Sequence, residues 1–350
     1  MTKKVFGTSL FLFLLAVGTA FAQAPAEYTS AAAVAKDAAV KKDFDIQGEY
    51  TGQAAGMEIG VNVIADGGGK FRIAAFIGGL PGDGWFRGDL RILGKATLNE
   101  AGKLDVALEE MSDFQGKRKL SVDDVPFLNA VADVEPGKSL SFKIDGEDAV
   151  FKKTERKSPT LGQKAPEGAS VIFADGTKGE LFDKGNVNEE AKTLWSEAVT
   201  KPFEKKPYKL HIEFLLSYMP EAKGQGRANS GVYIDETYEC QVLDSFGLEG
   251  ENNECGGFYQ SAKPKVNMCY PPLQWQTYDI DYTPPKFDAD GTKTAKAKIT
   301  VKHNGFVIQD SIEMEKETPG RKKETSALSG LYLQGHGNKV QYNNIWIKYQ

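Results

Sequence analysis

The stretch that decides the fold is Ser230-Gly231-Val232-Tyr233-Ile234 followed by Tyr238-Glu239-Cys240-Gln241-Val242-Leu243-Asp244-Ser245. Both segments are rich in Val, Ile and Tyr, which favour strands, and a short polar turn separates them. Because side chains alternate along a strand, Glu239 and Gln241 share one face while Cys240 faces the other. The pattern predicts two paired strands with one apolar face and one face that presents a carboxylate beside a carboxamide. Two such residues are more often a solvated sheet face than a binding site, so the rest of the chain has to decide.

The composition favours a globular protein built from strands. The chain has 350 residues, enough for two domains, and is 41% hydrophobic and 26% charged. Its 37 glycines and 11% aromatic residues accompany many short alternating runs, as is typical of β structure. The net charge of −5 gives no electrostatic reason to expect nucleic acid or an anionic membrane as a partner.

The first 22 residues have the features of an export signal. Lys3 and Lys4 precede a short apolar run, and Ala20-Phe21-Ala22 matches a cleavage site of the A-x-A type. We expect cleavage after Ala22 and a periplasmic or secreted mature protein. No later segment has the length of a transmembrane helix, so no transmembrane segment is predicted.

Three cysteines lie close together in the sequence, at positions 240, 255 and 269. Their spacing matches no zinc motif, and an exported cysteine pair is more often a disulfide. We therefore predict a bond between Cys255 and Cys269, with Cys240 buried on its strand.

The N-terminal half is predicted as an Ala-rich segment over residues 23–47 and a smaller antiparallel β domain over residues 48–155. A short helix over 31–37 is expected after a Ser30 cap. Alternating runs at 57–65 and 70–76 flank a glycine-rich turn, which is a hairpin signature. This half contains no histidine and no cysteine.

Residues 156–168 contain two prolines and two glycines without periodicity, which predicts a linker. The second domain, residues 169–350, consists of short alternating runs with glycine-rich connections and hardly any helical pattern. We predict an all-β fold in which this domain is a β-sandwich of the jelly-roll kind.

Polar and aromatic residues of the second domain are candidates for a carbohydrate cleft. His211 shares a strand face with Glu213, and His336 shares one with Gln334, whereas His303, beside an Asn-Gly turn, is interpreted as structural. Clefts for sugars combine carboxylates and amides for the hydroxyls with Trp or Tyr for the ring faces. Trp275 could be such a platform, with core packing an equally good interpretation.

Several motifs in order resemble the 3-keto-disaccharide hydrolase domain family across about residues 169–350. The resemblance implies an exported bacterial protein with a concanavalin-like jelly roll that acts on glycosides or 3-keto-glycosides. The motifs are Asn229-Ser230-Gly231-Val232-Tyr233, Tyr238-Glu239-Cys240-Gln241-Val242-Leu243-Asp244, Trp275-Gln276-Thr277-Tyr278-Asp279-Ile280, His303-Asn304-Gly305, Leu333-Gln334-Gly335-His336-Gly337 and Asn344-Ile345-Trp346-Ile347.

Two reaction routes are compatible with these residues. A ketone at sugar C3 acidifies the C2 proton, so that a base and an acid could eliminate the C1 substituent before water adds. Direct hydrolysis by the carboxylates of Glu213 and Glu239 is the variant. The candidate proton-handling residues are His211 and Glu239, then Glu213 and His336, and the candidate substrate-binding residues are Asn229, Gln241, Trp275 and Gln334. No cofactor is expected; a divalent cation that stabilises an enolate is kept as an alternative.

Two other functional classes remain open from the sequence. The second domain could be a carbohydrate-binding module without activity, or the chain could be an envelope interaction protein that binds partners through residues 48–155. The enzymatic hypothesis expects polar side chains from separate segments of the second domain, among them Glu239, Gln241, His211 and His336, to meet in one sugar-sized hollow.

Overall fold

The computed structural model describes residues 24–119, 129–144 and 147–350, so the predicted signal peptide lies outside the described residues. The described residues of the first part form two helices and eleven strands. They are α1 (Ala31–Val34), α2 (Ala38–Ile46), β1 (Gly48–Ala54), β2 (Met57–Gly67), β3 (Lys70–Ile77), β4 (Leu80–Pro81), β5 (Gly84–Trp85), β6 (Arg91–Leu98), β7 (Leu104–Asp113), β8 (Gly116–Lys119), β9 (Asn129–Glu135), β10 (Ser139–Ile144) and β11 (Glu147–Thr154).

The second part is built from short strands and a single-turn 3₁₀ helix at Gly224–Gly226. Its strands are β12 (Ser170–Ala174), β13 (Thr177–Lys178), β14 (Phe182–Lys184), β15 (Val187–Asn188), β16 (Thr193–Trp195), β17 (Ala198–Thr200), β18 (Tyr208–Leu215), β19 (Ser230–Ile234), β20 (Tyr238–Val242), β21 (Gln276–Thr283), β22 (Lys286–Phe287), β23 (Lys293–Ala295), β24 (Ala297–His303), β25 (Phe306–Met314), β26 (Tyr332–Leu333) and β27 (Gln341–Tyr349).

The first part is an antiparallel sheet that closes on itself. Its order is β6-β3-β2-β1-β11-β10-β9-β7, and β7 pairs again with β6. Alternate residues point inward, because each strand has a period of two, and they form an apolar cluster that includes Tyr50, Phe71 and Phe151. The interior also holds a cavity of about 230 Å³ lined by apolar side chains.

The second part is a sandwich of two antiparallel sheets. The larger sheet has the order β13-β12-β27-β18-β21-β24-β25, and the smaller one has the order β14-β17-β26-β19-β20. Residues 210, 212 and 214 of β18 and residues 238, 240 and 242 of β20 belong to the same buried cluster. The intervening residues of both strands therefore lie on the two outer faces of the sandwich.

One hairpin of the larger sheet shows how local sequence sets the register. β24 and β25 pair His303 with Phe306 across Asn304-Gly305. Asn304 and Gly305 have φ angles of 50° and 81°. This left-handed pair is what a two-residue hairpin turn requires and what Asn-Gly adopts at little cost.

The two parts pack closely against each other. Ile64, Phe76 and Trp85 of the closed sheet enter the core of the sandwich. The Arg91 guanidinium donates to the Glu249 carboxylate at 2.7 Å, and its buried position lets the pair act as a link between the two parts. This close packing creates surfaces that neither part has alone.

The prediction of an all-β fold with a C-terminal sandwich is confirmed. The helical prediction was incomplete: Ser30 does cap α1, but a second helix starts after Asp37, whose carboxylate accepts from the backbone of Ala39 and Val40. Among the described residues, no helix is long and apolar enough to cross a membrane.

Candidate functional site

The first polar cluster lies on the outer face of the smaller sheet and centres on Glu239. In the β19–β20 hairpin, Tyr233 is the direct cross-strand partner of Glu239. The Tyr233 hydroxyl donates to Glu239 Oε2 at 2.9 Å. Glu239 is only 2% exposed, so this phenol is its main side-chain partner in a largely dry environment.

Burial changes the acidity of this carboxyl. Removal from water penalises the charged form and raises the pKa of Glu239 to about 7, while the hydrogen bond from Tyr233 acts in the opposite direction. A carboxyl with a pKa near neutrality can both accept and donate a proton at physiological pH. Among the candidate residues, Glu239 therefore has the properties that acid–base chemistry requires.

A glycine makes room for this arrangement. A Cβ on Gly231, in the neighbouring strand, would overlap Oε1, Cγ and Cδ of Glu239. Any larger residue at position 231 would therefore have to displace the carboxyl. The absence of a side chain at this position lets the Glu239 side chain lie across β19.

Amide groups border the carboxyl. Gln334 Nε2 lies 3.4 Å from the Tyr233 hydroxyl, and Gln334 Oε1 is buried without a hydrogen-bond partner among the described residues. Gln241 Nε2 donates to Asn229 Oδ1 at 2.9 Å, and Asn229 Nδ2 in turn donates to the Gln225 carbonyl oxygen. Gln334 and Gln225 are partly exposed, so the row of amides leads from the carboxyl toward solvent.

A second polar cluster lies on the outer face of the larger sheet and centres on His211. Its Nδ1 is 2.6 Å from Asp279 Oδ1 and its Nε2 is 3.3 Å from Glu213 Oε1. The ring of Trp346 stacks on the imidazole with a centroid separation of 5.2 Å. Burial lowers the pKa of His211, but the hydrogen bonds and charges of Asp279 and Glu213 together raise it above the ordinary value.

Residues 156–168 seal this second cluster. The Gly162 backbone N–H donates to Glu213 Oε1 at 2.6 Å, and the Thr160 hydroxyl donates to Asp279 Oδ2 at 2.7 Å. Asn344 Nδ2 adds a bond of 2.8 Å to the same Glu213 oxygen. His211 is 0% exposed as a result, and its cluster ties the connecting segment to the sandwich.

The structure therefore divides the candidates that were expected to share one hollow. Glu239, Gln241, Asn229 and Gln334 come together on the smaller sheet. His211 and Glu213 do not join them, because their strand turns these side chains to the opposite outer face of the sandwich. This corrects the expectation of a single cleft.

His336 and Trp275 lie outside both clusters. His336 is exposed, just beyond Gln334. Trp275 is partly exposed and lines a cavity between the closed sheet and the sandwich. His303 is fully buried, and its Nε2 lies 3.0 Å from Gln276 Oε1, in agreement with its interpretation as structural.

Cys240 is buried on its strand as predicted, and the thiols of Cys255 and Cys269 are hydrogen-bond partners, but the predicted bond between them is not formed. Cys240, Cys255 and Cys269 are all buried free thiols, so the structure has no Cys255–Cys269 disulfide. The Cys255 thiol lies 3.1 Å from the Tyr278 hydroxyl, and Cys269 Sγ lies 3.5 Å from the Leu243 carbonyl oxygen. Burial raises the pKa of the Cys269 thiol, which keeps it protonated.

The sequence analysis missed Tyr233 and Gly231 as members of the site. The signal was present, because a short hairpin turn places Tyr233 opposite Glu239. No group of three or more His, Cys, Asp or Glu side chains among residues 24–119, 129–144 and 147–350 is placed to hold a metal ion.

Fold and site together define a β-sandwich protein with a buried carboxyl, whose pKa is raised by burial, next to several amide side chains. The sequence profile of the 3-keto-alpha-glucoside-1,2-lyase-like domain matches residues 145–348, more than half of the chain. The chain belongs to this family, which relates it to proteins that act on carbohydrates.

Solved structures give weaker likenesses. A candidate glycosyl hydrolase from Parabacteroides distasonis is 26% identical over 53% of this chain and 86% of its own, with a TM-score of 0.47. A second candidate glycosyl hydrolase from that organism is 18% identical over 55% of this chain and 92% of its own, with a TM-score of 0.32. Trypanosoma rangeli sialidase is 10% identical over 86% of this chain and 60% of its own, with a TM-score of 0.28. No curated protein matches the chain in sequence.

Proposed function

We propose that this chain is an exported carbohydrate-active enzyme that cleaves glycosidic bonds of 3-keto-disaccharides or related glycosides, with Glu239 as the proton-handling group. The observation that carries the proposal is the buried Glu239 carboxyl with a pKa near 7. Membership in the 3-keto-alpha-glucoside-1,2-lyase-like family supplies the class of substrate. Export rests on the sequence of the first 22 residues.

The elimination route needs only one such group. The ketone at C3 makes the proton on C2 acidic, and the Glu239 carboxylate accepts that proton. The electron pair of the C–H bond forms the C1–C2 double bond, and the bond from C1 to the glycosidic oxygen breaks. The departing oxygen takes the proton back from Glu239. Water then adds, with its hydroxyl on C1 and a proton on C2, so that the net reaction is hydrolysis.

The neighbouring groups have supporting parts in this scheme. Tyr233 holds the carboxyl in place through its hydroxyl. Gln334 offers an unpaired carbonyl oxygen, which suits a sugar hydroxyl, and Gln241 with Asn229 extends the row of amides. Such placed polar groups orient a carbohydrate in its site.

The two-carboxylate alternative fits the geometry poorly. Direct hydrolysis places two carboxyl groups on either side of one glycosidic bond, about 5–10 Å apart. Glu213 instead faces outward from the larger sheet and accepts hydrogen bonds from Gly162 and Asn344. Elimination by Glu239 is therefore the preferred mechanism.

The test is product analysis on the mature protein. It is incubated with a 3-keto-disaccharide and, as the matched control, with the same disaccharide unoxidised, and the sugars are separated by chromatography. We expect both monosaccharide products from the keto substrate and far slower release from the control, because only the ketone acidifies C2. Binding of either sugar without any product would instead identify a carbohydrate-binding module.

A further inference from the structure

The cavity that contains Trp275 lies between the two parts of the chain and has a volume of about 650 Å³. That size is in the range of sites for small ligands. Its walls come from α2, β1, β11 and the segment before β21. The polar and aromatic lining residues include Gln47, Lys153, Glu155, Lys157 and Trp275.

One lining residue has an unused hydrogen-bond donor. Gln47 is 3% exposed, and its Oε1 accepts from the Ala65 backbone N–H at 3.1 Å. Its Nε2 is buried and has no acceptor among the described residues. A buried donor without an acceptor costs free energy, and native proteins rarely keep one without a reason. Nε2 itself has almost no accessible surface, so an acceptor oxygen on a ligand satisfies it only after the Gln47 amide turns toward the cavity that the residue lines.

The sandwich supplies an aromatic side chain to the same cavity. Trp275 is partly exposed and follows Pro271, Pro272 and Leu273, which also line the cavity. A partly exposed indole offers apolar ring surface against which the C–H face of a sugar ring can pack. This wall belongs to the sandwich, whereas Gln47 belongs to the closed sheet and its helix, so both parts contribute.

The rim carries groups that suit hydroxyls. Lys153 Nζ donates to the Asp45 carbonyl oxygen at 2.6 Å and keeps further N–H donors. Burial lowers the pKa of Lys153 to about 8. Glu155 and Lys157 add an acceptor and a donor of opposite charge. These donors and the Glu155 acceptor suit a ligand that has many hydroxyl groups.

We propose that this cavity is a carbohydrate-binding site for a neutral mono- or disaccharide unit, separate from the Glu239 cluster. Trp275 is its stacking platform, and Gln47 and Lys153 bind ring or hydroxyl oxygens. The site would hold a part of the glycan remote from the bond that is cleaved, or a glycan that anchors the protein. Sugar binding in this cavity does not depend on whether Glu239 is catalytic.

The experiment measures binding of unoxidised maltose, cellobiose, sucrose and trehalose to the full mature chain. Titration calorimetry and the change in tryptophan fluorescence report affinity. Wild type, Trp275→Ala, Trp275→Phe, Gln47→Glu and Glu239→Gln are compared, with thermal unfolding as a check that each is folded. Gln47→Glu keeps the acceptor for Ala65 and removes the amide donor.

We expect at least one sugar to bind wild type and Glu239→Gln equally. Trp275→Ala should weaken that binding by about tenfold or more, and Gln47→Glu by a smaller factor, while Trp275→Phe retains most of it. Equal binding by wild type and folded Trp275→Ala would overturn the proposal, as would failure of all four sugars to bind. Because turnover is not measured, failure here leaves the Glu239 proposal intact, and inactivity of the enzyme leaves this one intact.

Discussion

The clusters around Glu239 and His211 contain similar residues but differ in how completely their polar groups are hydrogen-bonded. Both clusters are almost completely shielded from solvent. In each, a carboxylate is hydrogen-bonded to a side chain with a polar ring, Tyr233 in the first and His211 in the second. His211 has a partner at both nitrogens, and its partners receive further bonds from the connecting segment. Glu239 accepts a hydrogen bond from one phenol, that of Tyr233, and the nearby Gln334 has a carbonyl oxygen without a partner among the described residues. We propose that the complete hydrogen bonding of His211 makes its cluster a structural clasp, whereas the Glu239 carboxyl, which accepts from a single phenol, keeps the ability to exchange protons.

The largest expected effect is the difference in kcat between replacing the carboxylate of Glu239 and replacing that of Glu213. Glu239→Gln keeps the shape of the side chain and removes its acid–base capacity, so kcat on a 3-keto-disaccharide should fall by about 10²–10⁴-fold. Glu213→Gln, the same change on the opposite outer face, should retain kcat per folded molecule. Equal losses in both variants would refute the division of roles.

Removal of His211 should affect stability instead of chemistry. His211→Ala leaves two carboxylates without their buried partner, and we expect a loss of about 3 kcal/mol in the free energy of unfolding. The exposed His336→Ala is the control and should change stability by less than about 0.5 kcal/mol. Urea denaturation measures both, and a stable His211→Ala would show that the clasp contributes little.

The stabilisation by His211 should also depend on pH. Its pKa is raised in the folded state, so its contribution is complete below its unfolded pKa and declines as pH rises through the folded value. The stability difference between wild type and His211→Ala is therefore expected to narrow above about pH 6.5. A difference that widens with pH would contradict the assigned ion pairs.

Gly231→Ala tests the space around the carboxyl. The new Cβ would overlap the Glu239 side chain, so we expect a cost of about 1–3 kcal/mol and a fall in kcat as the carboxyl moves. Gly226→Ala is the matched control, because nothing lies within 4 Å of a Cβ there. Unchanged kinetics for Gly231→Ala would show that the position of the carboxyl is not critical.

The smallest effect concerns the pH profile. The hydrogen bond from Tyr233 lowers the pKa of Glu239, so Tyr233→Phe should raise it further and move the rising limb of the pH–rate profile to higher pH. Tyr332→Phe removes a hydroxyl that accepts from the Gly335 N–H instead, and should leave the limb in place. A shift to lower pH in Tyr233→Phe would reverse the assigned sign.

Alternation along strands predicted the faces of β19 and β20 well, because a period of two is a local property. It placed Glu239 and Gln241 together and put Cys240 in the core, as observed. Alternation could not show which outer face of the sandwich a strand would present. His211 and Glu213 share a strand face as predicted, but that face belongs to the larger sheet and not to the sheet that carries Glu239.

The role of residues 156–168 was equally hidden from the sequence. Their composition predicts a segment without helix or strand, as observed. Its function as a cover depends on the Gly162 backbone N–H and the Thr160 hydroxyl, which meet partners more than fifty residues away. Trp275 was likewise a plausible sugar platform, but only the packing of the two parts reveals that it lines a separate cavity.

Burial is expected to hold the pKa of the Glu239 carboxyl near neutrality. Its titration can be followed directly by ¹³C NMR of selectively labelled glutamate side chains, with Glu239→Gln used to assign the resonance. We expect the Glu239 resonance to show an inflection at about pH 7. An inflection near the ordinary glutamate value of about 4.3 would contradict it.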